Sequence, residues 1–124
     1  MNSNGVSIEE FELIFEIVLL FHSKKEEPIP VYNKKSLENI ESCLKSPFQT
    51  FLMYDLYPTF KEKAAILFYL LIKNHPLQNG NKRLAVSVLV YFYSKNNIDF
   101  TLTEKELYDL AIHTAKSRNK EKAY

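Results

Sequence analysis

The residues best suited to chemistry in this chain stand close together, in Lys73-Asn74-His75-Pro76-Leu77-Gln78-Asn79-Gly80-Asn81-Lys82-Arg83. His75 brings an imidazole with an ordinary pKa of about 6.5, fit to take a proton from a hydroxyl near neutrality. Lys82 and Arg83 bring two cations, and they fall where a helix should begin. Free backbone N–H groups and the helix dipole already make such a start electropositive, and each exposed cation there costs on the order of 0.3–1 kcal/mol. An anion resolves the conflict, because N–H groups, dipole, ammonium and guanidinium then converge on it, as they do on phosphate. Singly, a helix-end histidine, an Asn-Gly-Asn turn and a Lys-Arg pair are commonplace. Their order and spacing predict a phosphate held beside a base.

Two apolar segments must position this stretch. Thr59 to Asn74 repeats Ala64, Leu67, Phe68, Leu71 and Ile72 at the spacing of an amphipathic helix, and His75 continues that stripe. Pro76 disfavours helical geometry at His75 and ends the run. Asn79 tolerates left-handed backbone and Gly80 adopts it freely, which makes Asn79-Gly80-Asn81 a tight connection into the next helix. That helix holds Leu84, Ala85, Val86, Val88, Leu89, Val90, Tyr91 and Phe92 with little polar interruption. It is expected to be the central one, buried all round.

The other elements follow from punctuation. Ser7-Ile8-Glu9-Glu10 is a capping box opening a helix to about Phe21. Phe11, Leu13, Ile14, Ile17, Val18, Leu20 and Phe21 give it a broad core face, with Glu9, Glu12 and Glu16 outside. Lys24 to Pro30, charged and holding two prolines, is a loop. Ser36 to Leu44 forms a shorter helix with Leu37, Ile40 and Leu44 inward. Phe48 to Tyr54 is aromatic and β-prone, hence an extended or hairpin segment, or else a buried apolar loop. Thr59-Phe60-Lys61-Glu62 caps the helix before His75, and Thr103-Glu104-Lys105-Glu106 caps a last one with Leu107, Leu110, Ala111 and Thr114 inward. Asn96-Asn97 ends the central helix, and Ile98-Asp99-Phe100 adds a short extended piece. Asp55 and Asp99 are the nearest loose carboxylates on either side of the motif. His22 and His113 belong at the surface, and Lys116 to Tyr124 is a charged, frayed tail.

Composition bounds the class. A chain of 124 residues, 46% hydrophobic and 25% charged, suits a single domain spanning residues 1–124 with one core. No linker composition and no internal repeat divide it. A net charge of +1 without a basic face gives no ground for nucleic-acid binding. Cys43 is the one cysteine and no Cys/His cluster has zinc spacing, which fits a reducing compartment. Met1 to Ser7 lacks the build of a signal peptide, and no apolar run approaches the roughly 20 residues of a membrane span. A cytoplasmic location without membrane attachment is expected.

His75 to Arg83 resembles the signature of the Fic/Doc family, roughly His-x-Phe-x-Asp/Glu-Gly-Asn-Gly/Lys-Arg. Leu56 to Ala65 before it and Val90 to Asn97 after it look like the same family, so the resemblance spans roughly Ser36 to Ser117. It implies an all-α fold, five to six helices around a buried central one, with a small β-hairpin flap at about residues 42–54. Phe48, Gln49, Thr50 and Phe51 would then form the substrate edge, pairing with a target backbone by strand addition. By the same resemblance His75 is the general base toward a Ser, Thr or Tyr hydroxyl of a target protein. Gly80 and Asn81 line an anion hole, Lys82 and Arg83 bind nucleotide phosphates, and ATP and Mg²⁺ are the cofactors.

Position 82 divides the family. Members that transfer AMP usually have Gly there and a further Arg three residues after the motif Arg, whereas Doc-like members have Lys and lack that Arg. Lys82 and Val86 therefore favour transfer of the terminal phosphoryl group over AMP transfer. Leu77 replaces the usual Phe, a packing change. Asn79 stands where the family has the carboxylate that holds Mg²⁺, and a neutral amide oxygen should bind that ion more weakly. Asn79 leaves three readings open: a slow enzyme, another acidic ligand, or a nucleotide-binding or protein-interaction module without turnover. Some Fic proteins silence themselves with Ser/Thr-x-x-x-Glu followed by Gly or Asn. Ser117 and Glu121 have that spacing but Lys122 follows, so the match is read as coincidence. A toxin without that brake would need a separate antitoxin or a larger assembly.

Overall fold

Side-chain caps start most of the helices in the computed structural model, which describes residues 4–20, 33–74 and 81–116. The described elements are α1 (Ile8–Leu20), α2 (Lys34–Lys45), a 3-10 turn (Ser46–Phe48), β1 (Thr50–Phe51), β2 (Tyr54–Asp55), α3 (Phe60–Lys73), α4 (Asn81–Lys95) and α5 (Glu104–Lys116). Ser7 and Glu10 cap α1 reciprocally, with N···O distances of 2.9 and 3.1 Å. Thr59 with Glu62 does the same for α3, and Thr103 with Glu106 for α5. Each cap satisfies N–H groups that would otherwise lack partners and stabilises its helix by about 1 kcal/mol. The Thr103 N–H and hydroxyl also hold the Glu106 carboxyl below its ordinary pKa. One helix begins earlier than its apolar pattern indicates. Asn33 caps α2, its side-chain oxygen accepting from Ser36 N at 2.9 Å, so the helix opens at Lys34 rather than at Ser36.

The fold is all-α apart from a two-stranded antiparallel hairpin, in which Thr50 faces Asp55 and Phe51 faces Tyr54. α4 packs against α1, α3 and α5, α3 also meets α2 and α5, and a single cluster of buried apolar side chains joins them. Phe11, Phe68, Phe92, Leu67, Leu71 and Leu84 are among its fully covered members. Each such side chain contributes roughly 1.5–3 kcal/mol. The expected α3 stripe, Ala64, Leu67, Phe68, Leu71 and Ile72, is buried throughout.

Three expectations are corrected. On α1 the core face is Phe11, Ile14, Phe15 and Val18, while Leu13, Ile17 and Leu20 are 62, 55 and 80% exposed. The helix has more apolar residues than one face can cover. α4 is central but not buried all round: Lys82 is exposed and Val90 is 43% exposed, because its neighbours leave one side uncovered. Residues 42–48 belong to α2 and the 3-10 turn, so the hairpin starts at Thr50. Ile98-Asp99-Phe100 lies outside any helix or strand, and Phe100 packs its ring 4.2 Å from that of Tyr93.

The last turn of α4 is stapled to the segment before α1. Asn96 is buried; its Oδ1 accepts from Asn4 N at 2.6 Å, and its Nδ2 donates to Asn4 O at 2.9 Å and Phe92 O at 2.8 Å. Lys95 Nζ donates to Gly5 O at 2.7 Å and to Glu10 Oε1 at 2.6 Å, and the Tyr91 hydroxyl donates to the other Glu10 oxygen. Burial opposes ionisation of Glu10, but Lys95, Tyr91 and Ser7 outweigh it and hold the carboxyl at a pKa of about 2. A Cβ on Gly5 would stand 2.8 Å from the Phe48 ring, so the chain passes there only as glycine.

Candidate active site

The motif joins two helices that pack on each other. α3 ends at Lys73 with Asn74 as its C-cap, and α4 begins at Asn81. His75, Asn79 and Gly80 lie outside the described residues, as do Pro76 and Leu77. The described part of the site is therefore the pair of helix ends that the motif spans.

Lys82 and Arg83 stand in the first turn of α4, as their spacing predicts, and that turn has no acidic residue. Lys82 is exposed, Arg83 half-buried and Asn81 buried. The backbone of Arg83 is braced from the next turn, where Ser87 Oγ donates to its carbonyl at 3.0 Å. N–H groups at this helix start and two cationic side chains share one end of the bundle, which makes that end electropositive.

The end of α3 is held by contacts that its sequence does not announce. Asn74 Nδ2 approaches Cys43 Sγ at 3.8 Å, and Lys73 Nζ donates to Ala115 O at 3.5 Å, tying α3 to α2 and to the end of α5. Burial raises the Cys43 thiol to about 11, against a smaller opposing effect of Asn74, so it stays protonated and is no nucleophile. These residues support the position next to His75. The one available signal is that Cys43 shares the α2 face of Ile40 and Leu44.

The hairpin is anchored away from this end. Lys63 is buried on α3, donates to Tyr57 O, lies 3.6 Å from Asp55 and sits 5.6 Å over the Phe48 ring. Lys63 precedes the end of α3 by ten residues, roughly 15 Å along a helix. Asp55 is thus committed to Lys63, and Asp99 lies beyond the opposite end of α4; neither is brought to Asn81. Phe48, expected in the flap, packs edge-on to Phe92 at 6.4 Å and belongs to the base. Gln49, Thr50 and Phe51 are exposed, as a substrate edge must be. The turn between the strands holds Leu52 and Met53 at φ of 52° and 71°, angles that larger residues adopt at a cost. Neither residue type signals that conformation.

Among the described residues no group of three or more His, Cys, Asp and Glu side chains could hold a metal ion. Asn79 adds only a neutral amide oxygen. The described residues do not fit a carboxylate-held Mg²⁺. No helix among the described residues is long and apolar enough to cross a membrane.

Neither a curated protein nor a solved structure matches the chain. A family profile does, and it covers both helices that flank the motif. It begins at α1, earlier than the resemblance read from the sequence, and stops in the last turns of α4, leaving α5 outside. With residues 8–93 matched, well over half of its length, the chain belongs to the Fic/DOC family.

Proposed function

We propose that the chain is an ATP-dependent transferase that modifies a hydroxyl of a target protein, moving the γ-phosphoryl group in preference to AMP. The observation that carries this reading is the α4 start, where Lys82 and Arg83 occupy a first turn without a carboxylate beside the His75 motif. Such a turn suits the charge spread over phosphate oxygens during phosphoryl transfer, in which positioning and electrostatics do most of the work. In the proposed step, the target oxygen forms a bond to the γ-phosphorus, the bond from that phosphorus to the β–γ bridging oxygen breaks, and ADP leaves. The hydroxyl proton passes to the His75 imidazole. Gly80 and Asn81 line the anion hole, and the Gln49–Phe51 edge aligns the target backbone. Mg²⁺ would accompany ATP rather than be held by carboxylates of the chain, and it would supply charge neutralisation.

Use of ATP fits a cytoplasmic location. The reading extends to a toxin restrained by a separate antitoxin, because Lys122 interrupts the built-in inhibitory pattern. Asn79 favours a second reading, a Fic-fold nucleotide-binding or protein-interaction module of weak turnover, since its amide is a poorer metal ligand than the family's carboxylate.

One experiment separates these. The protein is incubated with cell lysate and ATP labelled at either the α or the γ phosphate, alongside His75→Ala and Asn79→Asp. Protein-bound label is expected from γ, falling by about 10²–10⁴-fold in His75→Ala, the usual worth of a general base. Label from α overturns phosphoryl transfer. Label in Asn79→Asp alone replaces the enzyme with the binding module.

A further inference from the structure

Lys63 is an odd choice of residue for its place. It is 5% exposed near the start of α3, beside Ala64, Ile66 and Leu67, which are buried as well. Taking an ammonium group out of water is costly, and apolar side chains of similar volume in place of a buried ion pair often leave a fold as stable as before or more so. Packing alone would be served as well by methionine. What the ammonium adds is direction. It donates to Tyr57 O, lies 3.6 Å from Asp55 Oδ2 and sits 5.6 Å over the Phe48 ring.

These partners bracket the hairpin. Phe48 stands before β1, Asp55 ends β2 opposite Thr50, and Tyr57 follows. Leu56 N donates to Gln49 O at 3.0 Å and closes the same end of the ladder. The rest of the hairpin stands clear of the core, with Phe51, Leu52, Met53 and Tyr54 at 66, 76, 96 and 79% exposed. A projection of this kind takes its place and tilt from its base, and here one side chain holds that base on both flanks. That side chain belongs to an unbroken helix. α3 runs on from Lys63 to Lys73, with Asn74 as its cap, so the hairpin base and the chain entering the His75 motif are attached to opposite ends of α3.

From this we infer that Lys63 is a positioning residue for the transfer. It holds the Gln49–Phe51 edge at a set distance from the motif end of α3, so that a target strand added to that edge presents its hydroxyl where the phosphoryl group is passed on. The inference rests on the transfer reading proposed above. It adds to that reading a residue roughly 15 Å along the helix from the motif, which acts through the hairpin.

The test follows protein-bound label from γ-labelled ATP in cell lysate, for the parent and for Lys63→Met, Asp55→Asn and Lys61→Met. Lys63→Met keeps the bulk and removes the charge, so its melting temperature by circular dichroism should equal or exceed the parent's. The ATP concentration for half-maximal labelling should stay within about twofold, whereas labelling at limiting lysate should fall by roughly 10–100-fold, the scale set by a misplaced reacting group. Asp55→Asn, at a half-exposed side chain, should give a smaller loss in the same measurement. Lys61→Met, at an exposed lysine of the same helix, should give none. Labelling by Lys63→Met at the parent's rate overturns the inference. So does a loss accompanied by a lower melting temperature or a raised ATP requirement, since Lys63 then serves the fold as a whole. Should Lys63→Met not fold, Asp55→Asn decides: unchanged labelling overturns the inference, and a loss with melting and ATP dependence intact upholds it. Absence of label in the parent ends the transfer reading and this inference with it, whereas label that the parent and both hairpin-base variants share ends this inference alone.

Discussion

The two ends of α4 are built on opposite principles. At its C-terminal end Lys95 complements the helix dipole and pairs with Glu10, while Asn96 spends three hydrogen bonds on Asn4 and Phe92. Charge and polarity there are matched inside the chain. At its N-terminal end Lys82 and Arg83 oppose the dipole in a turn without an acidic residue. One helix thus carries a locked end and an end whose first-turn cations suit the nucleotide of the proposed function. The contrast teaches where to look for function, because a fold optimised for stability alone would place acidic residues at that start.

The largest expected effect comes from unlocking the C-terminal end. Asn96→Ala leaves the Asn4 amide and carbonyl without their buried partner and should cost about 1–3 kcal/mol, measured by urea unfolding. Nucleotide affinity, measured on the folded variant, should stay as it was. A matching loss of nucleotide affinity would mean that the two ends do not divide the work.

Acid should act on the same end with a smaller effect. The carboxyl of Glu10 ionises at about 2 in the folded protein against an ordinary 4.5, so the unfolded chain takes up the proton first. Its stabilisation is complete above the ordinary value and is lost as pH falls from there toward about 2. Glu10→Gln should flatten the fall in melting temperature across that window. An unchanged slope would show that the pairing with Lys95 adds nothing.

The smallest effect has the opposite sign. Lys82 is exposed, so Lys82→Glu should relieve the clash with the dipole and stabilise the ligand-free protein by about 0.3–1 kcal/mol, while weakening nucleotide binding. Thermal melts with and without ATP measure both. A variant less stable than the parent, or equally avid for nucleotide, would erase the contrast between the ends.

Capping boxes and the buried α3 stripe were legible because they are local: a cap spans four residues, and a stripe depends on helical spacing alone. The hairpin was legible as one of two alternatives, since a short apolar run carries no period that separates strand from buried loop. The outward stripe of α1 was not legible. Leu13 and Ile17 are as apolar as Ile14 and Val18, and only the placement of α4 and α5 decides which set is covered. The site divides in the same way. Lys82 and Arg83 follow from their position after the Asn-Gly-Asn turn, whereas the Asn74–Cys43 contact joins residues 31 apart that no local pattern pairs.

By itself the sequence determined the family, the helical class, the caps and the cations that open α4, because each is a property of a few neighbouring residues. The tertiary structure alone decided that Lys63 holds the hairpin base, that Glu10, Lys95 and Asn96 close the far end of α4, and that an apolar groove stays open between α1 and α5. Those outcomes depend on which helix faces meet, and they are set by the shared core rather than by any one segment of the chain.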